Sequence, residues 1–163
     1  MPLGEHPYLA LLPRAVESPA MSRIASRHTS IDSLLRGARV RIQTGRGFVW
    51  VDDETPAIVL IERYYRDGHP RDLYLDLLHE LTHLRQAAEG HVLWNEDIEY
   101  VDRPTEIEGY AVAVEEGRRL GMNENEIVLH LSNPWMTASE VTRLRANVEQ
   151  FLANGGRAIG VGA

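Results

Sequence analysis

The sequence predicts an α+β fold in a single domain over residues 1–163, and three observations support this prediction. Apolar and polar residues alternate at 39–51, as they do in half-buried strands. A continuous apolar run at 57–61 is typical of a buried strand. Helical spacing of apolar residues begins near residue 72 and recurs towards the C-terminus. We therefore expect a small three-stranded sheet, or a larger mostly antiparallel one, packed on the helix that follows it.

The composition indicates a globular protein and limits its chemistry. Hydrophobic residues make up 44% of the chain and charged residues 25%. The net charge of −7 argues against nucleic acid or an anionic membrane as the main partner. The chain has no run of about 18 apolar residues and no signal-peptide pattern, so we expect a cytoplasmic protein. Because cysteine is absent, any zinc must be held by histidine and carboxylates, which favours a catalytic site.

The N-terminal half is predicted to carry the sheet. An extended arm is expected at 1–13, where three prolines interrupt any regular period. Ser30 is expected to cap a short helix that ends near Gly37. The alternating segment 39–51 is interpreted as a β-hairpin, and 57–61 as the third strand.

The C-terminal half is predicted to be helical. After a loop at 64–70, Asp72 is expected to cap the first long helix, which Gly90 ends. Thr137 and Glu140 form a capping-box pattern before the last helix. The predicted helices are 72–89, 103–120, 123–131 and 137–153, and 155–163 is expected to be a flexible tail.

The first long helix contains the motif His79-Glu80-x-x-His83. Residues four apart lie on the same helical face, so both imidazoles point the same way and can bind one metal ion. In this arrangement the neighbouring glutamate handles the proton of an activated water. The alternative is a pair of solvated histidines on an ordinary amphipathic helix.

A catalytic zinc site needs a third protein ligand, and the second long helix offers Glu106 and Glu108. Gly109, Ala113 and Gly117 form a stripe of small residues that would let this helix approach the motif helix closely. Glu106 lies at the leading edge of that stripe, so we assign it as the third ligand.

Glu108 is the alternative third ligand. It shares a helical face with Glu115 and Arg119, which indicates exposure to solvent. It also follows Thr105 by three residues and could complete a capping box. Glu106 itself has an alternative interpretation. It could be an exposed acid in the first turn whose only effect is a favourable interaction with the helix dipole.

His79-Glu80-x-x-His83 followed by Glu106-Ile-Glu-Gly-Tyr110 resembles the gluzincin branch of zinc metallopeptidases, and the small size resembles the minigluzincins. The resemblance covers two short motifs and the order of sheet, motif helix and glutamate helix. It implies Zn²⁺ held by the two histidines and Glu106. The family often has Ala and Asp where this chain has Gly109 and Tyr110. Either Tyr110 or Asp76 could then support a zinc histidine.

The motif and the resemblance imply the same activity, a zinc-dependent peptidase acting on a peptide or an unfolded protein. Glu80 would be the general base, and a sheet edge would hold the extended substrate. Side chains considered for stabilising the oxyanion are Tyr64, His69, His91 and Tyr100. The alternatives are a zinc-binding regulatory or interaction domain without turnover, and a zinc hydrolase for a non-peptide bond.

Other aromatic and histidine residues receive no role in this reaction. Trp50, Trp94 and Trp135 are expected to pack in the core or at an interface. His6, His28 and His130 lack a partner at ligand spacing. The tail beyond Gly155 could fold back into the cleft and keep the enzyme latent, as in some small gluzincins.

Overall fold

Four short strands form a mixed β-sheet in the N-terminal part of the chain. The computed structural model describes residues 1–160, and its strands span Gly4–Pro7 (β1), Arg39–Gln43 (β2), Val49–Asp52 (β3) and Ala57–Ile61 (β4). Their order across the sheet is β1-β2-β4-β3. β4 runs parallel to β2, whereas β1 with β2 and β3 with β4 are antiparallel. The predicted α+β class is confirmed.

The predicted hairpin at 39–51 is wrong, because β4 lies between β2 and β3. All five residues of β4 are buried, whereas β2 and β3 alternate or are only half-buried. Burial of all five residues means that both faces of β4 are covered, as is usual for a strand in the interior of a sheet. After β3 the chain turns, and β4 pairs antiparallel with β3, with Val49 opposite Leu60. β3 lies at the edge of the sheet.

The predicted N-terminal arm is in part a strand, because β1 pairs with β2 from Gly4 to Pro7. A helical turn at Tyr8–Leu11 (α1) follows it. The Tyr8 side chain is fully buried, and its hydroxyl donates to the carbonyl oxygen of Leu77 at 2.9 Å. The start of the chain is thereby fixed to the helix that carries the metal motif.

Helices cover the sheet and build the rest of the core. Beyond α1 they span Met21–Ile24 (α2), Ile31–Gly37 (α3), Glu62–Asp67 (α4), Pro70–Ala88 (α5), Pro104–Arg119 (α6), Glu124–Leu131 (α7) and Ala138–Ala153 (α8). Helices α5 and α6 make the most extensive contact between any two elements of the described chain. In the part of the chain that the structure describes, no helix is both long and apolar enough to cross a membrane.

Most predicted helix boundaries are close to those observed, but the start of α5 is not. The caps at Ser30 and Thr137 are confirmed by hydrogen bonds to backbone N–H groups of the first turn. Asp72 is not the cap of α5. The ring Nδ1 of His69 accepts from the N–H of Arg71 at 3.2 Å, and Pro70 occupies the first turn. The predicted loop at 64–70 is wrong over its first half, which belongs to α4.

The described part of the predicted tail contacts the body of the protein. Arg23 donates to the carbonyl oxygen of Gly155 at 3.0 Å, and the N–H of Ile159 donates to Glu108 Oε2 at 3.3 Å. Residues 161–163 lie outside the described chain.

We predict that Tyr8→Phe lowers the free energy of unfolding by about 1 kcal/mol, because a buried hydrogen bond to the Leu77 carbonyl is lost while the ring still fills its site. The midpoint of urea denaturation measures this change. Tyr65→Phe is the matched control, since the Tyr65 hydroxyl has no hydrogen bond within the described residues. An equal shift in both variants would contradict the prediction.

Candidate metal centre

Three buried side chains from two helices converge on one point. His79 and His83 lie one turn apart on α5, and Glu106 lies in the first turn of α6. His79 Nε2 is 2.9 Å from His83 Nε2 and 3.3 Å from Glu106 Oε2, and His83 Nε2 is 2.9 Å from Glu106 Oε1. One potential ligand atom from each residue lies within 4.8 Å of the others. The structure thus brings together the three residues that the sequence analysis selected as ligands.

The chemistry of these atoms fits a divalent cation. Glu106 Oε2 is buried, and it makes no hydrogen bond within the described residues. A buried carboxylate oxygen that makes no hydrogen bond is costly even with His79 Nε2 at 3.3 Å, and a bound cation would reduce that cost. Two imidazole nitrogens and a carboxylate oxygen are also the donor set of a catalytic zinc site with one position left open.

The charges of the three groups are strongly coupled. Burial acts to raise the pKa of Glu106, but the adjacent His83 and His79 outweigh burial and hold that pKa well below its usual value. Burial acts to lower the pKa of His83, but Glu106 raises it to about 9. Burial raises the pKa of the neighbouring Glu80. Glu106 is therefore an anion that favours positive charge beside it.

The close approach of α6 to α5 depends on a glycine. A Cβ atom at position 109 would lie 3.0 Å from the His79 ring, which is closer than ordinary van der Waals contact. Position 117 is also tight, since a Cβ there would lie 2.7 Å from Met122 Sδ. The predicted contact of the small-residue stripe with the motif helix is present at Gly109 and also at Gly117, where a Cβ would lie 3.3 Å from Leu75 Cδ1 of α5.

Glu108, the alternative ligand, does not join the three converging donors. The expectation that it faces solvent is wrong, because it is only 1% exposed. Its Oε1 accepts from the guanidinium of Arg85 and from Gln86 Nε2, and Arg85 also pairs with Glu89. Glu108 therefore belongs to a buried ion network between α5 and α6. The predicted capping role also fails, since Thr105 lies inside α6 and Arg103 is the N-cap.

Gln86 is a residue that the sequence analysis missed. Its Oε1 lies 2.7 Å from His83 Nδ1, and its Nε2 donates to the carbonyl oxygen of Thr105 at 3.0 Å and to Glu108. Because the amide oxygen can only accept, the network assigns the proton of His83 to Nδ1 and leaves the Nε2 lone pair for a metal. The available signal was its position three residues after His83, on the same helical face.

Neither residue expected to support His79 hydrogen bonds to it in the described structure. The Tyr110 ring packs edge-on against the His79 ring with centroids 4.4 Å apart. The Tyr110 hydroxyl instead bonds to Tyr100 at 2.7 Å and accepts from Asn133 at 2.8 Å. Asp76 accepts from the Tyr64 hydroxyl at 2.5 Å. Tyr110 therefore supports the His79 ring by packing.

The three donors and Glu80 line a cleft of about 500 Å³. The edge strand β3 contributes Val49–Val51 to its wall, and Tyr64 and Tyr100 also line it. His69 and His91 are not among its described lining residues. The 155–160 part of the tail does not line the cleft either, and the rest of the tail lies outside the described residues.

Aromatic side chains border this cleft, and they include the three tryptophans that were expected to pack in the core or at an interface. Trp94 and Trp135 line the cleft and expose half or more of their surface, as Phe48 does. The Tyr100 ring lies 4.6 Å from the Trp135 ring in an edge-on contact. The border of the cleft is therefore partly apolar and open to solvent.

No protein-family model, curated protein or solved structure matches this chain. Conclusions about function therefore depend on the motif and on the side chains of the cleft.

We predict that Glu108→Ala lowers the free energy of unfolding by about 3 kcal/mol, because it leaves the buried Arg85 with Glu89 as its remaining carboxylate partner. Denaturation in the presence of a chelator measures this effect without any contribution from metal binding. Glu115→Ala on the same helix is the control, since its side chain is 39% exposed and it should change stability by about 0.5 kcal/mol or less. Similar losses in both variants would contradict the burial argument.

We predict that Gln86→Leu weakens zinc binding by about 10- to 100-fold, because His83 loses the acceptor that fixes its tautomer and ring orientation. Competition with a chromophoric chelator measures the affinity. Gln150→Leu, at an exposed position of α8, is the control and should bind zinc like the wild type. Unchanged affinity in a folded Gln86→Leu protein would show that this contact does not position His83.

Proposed function

We infer that the protein is a zinc-dependent peptidase of the gluzincin type. The observation that carries this proposal is the convergence of His79, His83 and Glu106 beside a cleft that Glu80 also lines. A structural zinc site is normally closed by four protein ligands, whereas three ligands at a cleft leave a position for a reacting molecule. The three ligand residues would hold Zn²⁺ here.

Bound zinc would act as a Lewis acid that polarises the scissile carbonyl and lowers the pKa of the attacking water. Glu80 is buried at 8% exposure and lies in the same cleft as the ligands. Its carboxylate would accept the proton of the water and pass it to the leaving amine, as a general base and then a general acid. Burial favours proton uptake by Glu80, since it raises the pKa of the carboxyl.

The edge strand β3 is the feature that favours a peptide as the substrate. β3 pairs with β4 on one side only, and its residues line the cleft. An extended peptide can add to such an edge through main-chain hydrogen bonds, with pockets for alternate side chains. The half-exposed Trp94, Trp135 and Phe48 would supply apolar surface for those side chains. This arrangement favours a peptide or an unfolded segment over a small non-peptide ester or amide.

We predict that Glu80→Gln keeps stoichiometric zinc but lowers kcat/KM by at least about 100-fold, because the amide retains the shape of the side chain and cannot take a proton. Elemental analysis reports the zinc, and mass spectrometry of a peptide library or an unfolded protein reports cleavage. Glu106→Ala should instead lose zinc, and Glu115→Gln serves as the surface control.

Each outcome separates the proposed peptidase from an alternative. A wild-type protein that binds zinc and cleaves none of the substrates would favour the zinc-binding regulatory or interaction domain. Absence of stoichiometric zinc from the wild type would contradict both functions. The cytoplasmic location and the lack of nucleic-acid or membrane partners stay predictions.

A further inference from the structure

A second group of polar side chains lies in the same cleft as the metal ligands. Helix α5 contributes Asp72 and Asp76, α7 contributes His130 and α4 contributes Tyr64, and all four line the cleft. His130 Nδ1 lies 3.2 Å from Asp72 Oδ1, and His130 Nε2 lies 3.4 Å from Asp76 Oδ1. The Tyr64 hydroxyl donates to the other oxygen of Asp76. His130, which the sequence left without a role, thus bridges two carboxylates.

The four carboxylate oxygens of Asp72 and Asp76 outnumber the donors that His130 and Tyr64 offer them. The His130 side chain is only 5% exposed, and its Nε2 makes no hydrogen bond within the described residues. When Nδ1 donates to Asp72, the Nε2 lone pair faces Asp76 Oδ1, which is also an acceptor. A buried acceptor that faces another acceptor is costly, and a ligand with several N–H donors would satisfy both.

The charge of the cleft points to a cation. The described lining carries four carboxylates, those of Asp72, Asp76, Glu80 and Glu106, and no arginine or lysine. The proposed reaction uses Glu106 for the metal and Glu80 for the proton. Asp72 and Asp76 have no role in that reaction, and their side chains are 39% and 28% exposed. Carboxylates that lie in a cleft and have no role in the proposed reaction attract positive groups of a substrate.

We propose that Asp72, Asp76 and His130 form a substrate subsite for a cationic nitrogen, supplied by an arginine or lysine side chain or by a peptide amino terminus. This subsite deepens the proposed peptidase function and rests on it. Asp76 precedes His79 by three residues on α5, so the subsite lies about one helical turn, roughly 5 Å along the axis, from the metal centre. A residue bound there would be close to the bond that is cleaved.

The walls beside the carboxylates suit a long side chain. The rings of Phe48 and Tyr64 meet edge-on with centroids 5.4 Å apart, and both line the cleft. Leu129, next to His130, is 74% exposed. Arginine and lysine bury their aliphatic stems on such apolar surface while the charged head reaches a polar group. This favours a basic side chain over an amino terminus as the source of the cation.

Binding of small probes to the full-length protein tests the subsite without requiring turnover. Nα-acetyl-arginine amide is compared with the citrulline analogue, which has nearly the same shape without the charge, and with alanine amide, which offers only an amino terminus. Calorimetry or NMR titration is performed on the zinc-loaded protein and repeated after chelation. We expect the arginine probe to bind about tenfold more tightly than the citrulline probe. The two probes differ mainly in charge, so the difference in affinity reports the attraction of the positive charge to the carboxylates.

Asp72→Asn should remove most of this preference, because it neutralises a carboxylate of the subsite at an exposed position where folding is little affected. Asp32→Asn on α3 is the matched control and should keep the preference, since its side chain is 74% exposed and outside the cleft. Binding of alanine amide that depends on Asp72 would identify the amino terminus as the source of the cation.

Two results would overturn the subsite. One is equal binding of the arginine and citrulline probes, which is expected if the contacts with His130 and Tyr64 already satisfy both carboxylates. The other is a preference for arginine that survives both Asp72→Asn and Asp76→Asn. Neither result depends on peptide hydrolysis, so failure of the subsite and failure of the peptidase proposal are distinguishable.

Discussion

Helix α6 lies so close to α5 that a methyl group at position 109 would press on the His79 ring. This closeness lets Glu106, a side chain of moderate length, reach two histidines on the other helix. Polar contacts hold the two helices in register on either side of Glu106. Thr105 offers its carbonyl oxygen to Gln86, and Glu108 receives Arg85 and Gln86. The proposed metal ligands are therefore placed by an interface that is largely polar at this point.

A buried ion network is not by itself a source of stability, because the desolvation of each charge offsets much of the attraction. The network instead specifies the register of the two helices, which is the position of α6 along α5. An apolar contact would tolerate a shift of α6 along α5, but a shift would leave Arg85 and Glu108 buried without each other. The same network reaches the candidate metal centre, since Gln86 contacts both Glu108 and His83. Packing and ligand orientation are thus parts of one arrangement.

The sequence predicts those features that depend on local pattern. The spacing of His79, His83 and the small residues of α6 specifies helical faces, so the three side chains that converge could be selected without a structure. Strand order could not be predicted in this way. Alternation at 39–51 is compatible with a hairpin. The pairing of β4 with both β2 and β3 excludes it.

Charged residues were the other source of error. Glu108 was assigned to solvent because its helical neighbours are charged, and its partner Arg85 comes from a different helix. His130 had no partner at ligand spacing, yet it lies beside two aspartates from α5. Contacts between side chains that are distant in sequence are invisible to a rule based on spacing along one element. The place of His130 beside these two aspartates could be recognised only once the helices were placed.

Gly109 has a consequence for how proteins with this site can be recognised. The histidine motif alone describes the ligands on one helix, and it recurs by chance in unrelated chains. In this chain, neighbouring positions on both helices also make contacts at the junction. They are Arg85 and Gln86 after the second histidine, and Glu108 and Gly109 after Glu106. A search pattern that joins H-E-x-x-H-x-R-Q to E-x-E-G would describe the junction of the two helices. Its most informative position is the one without a side chain.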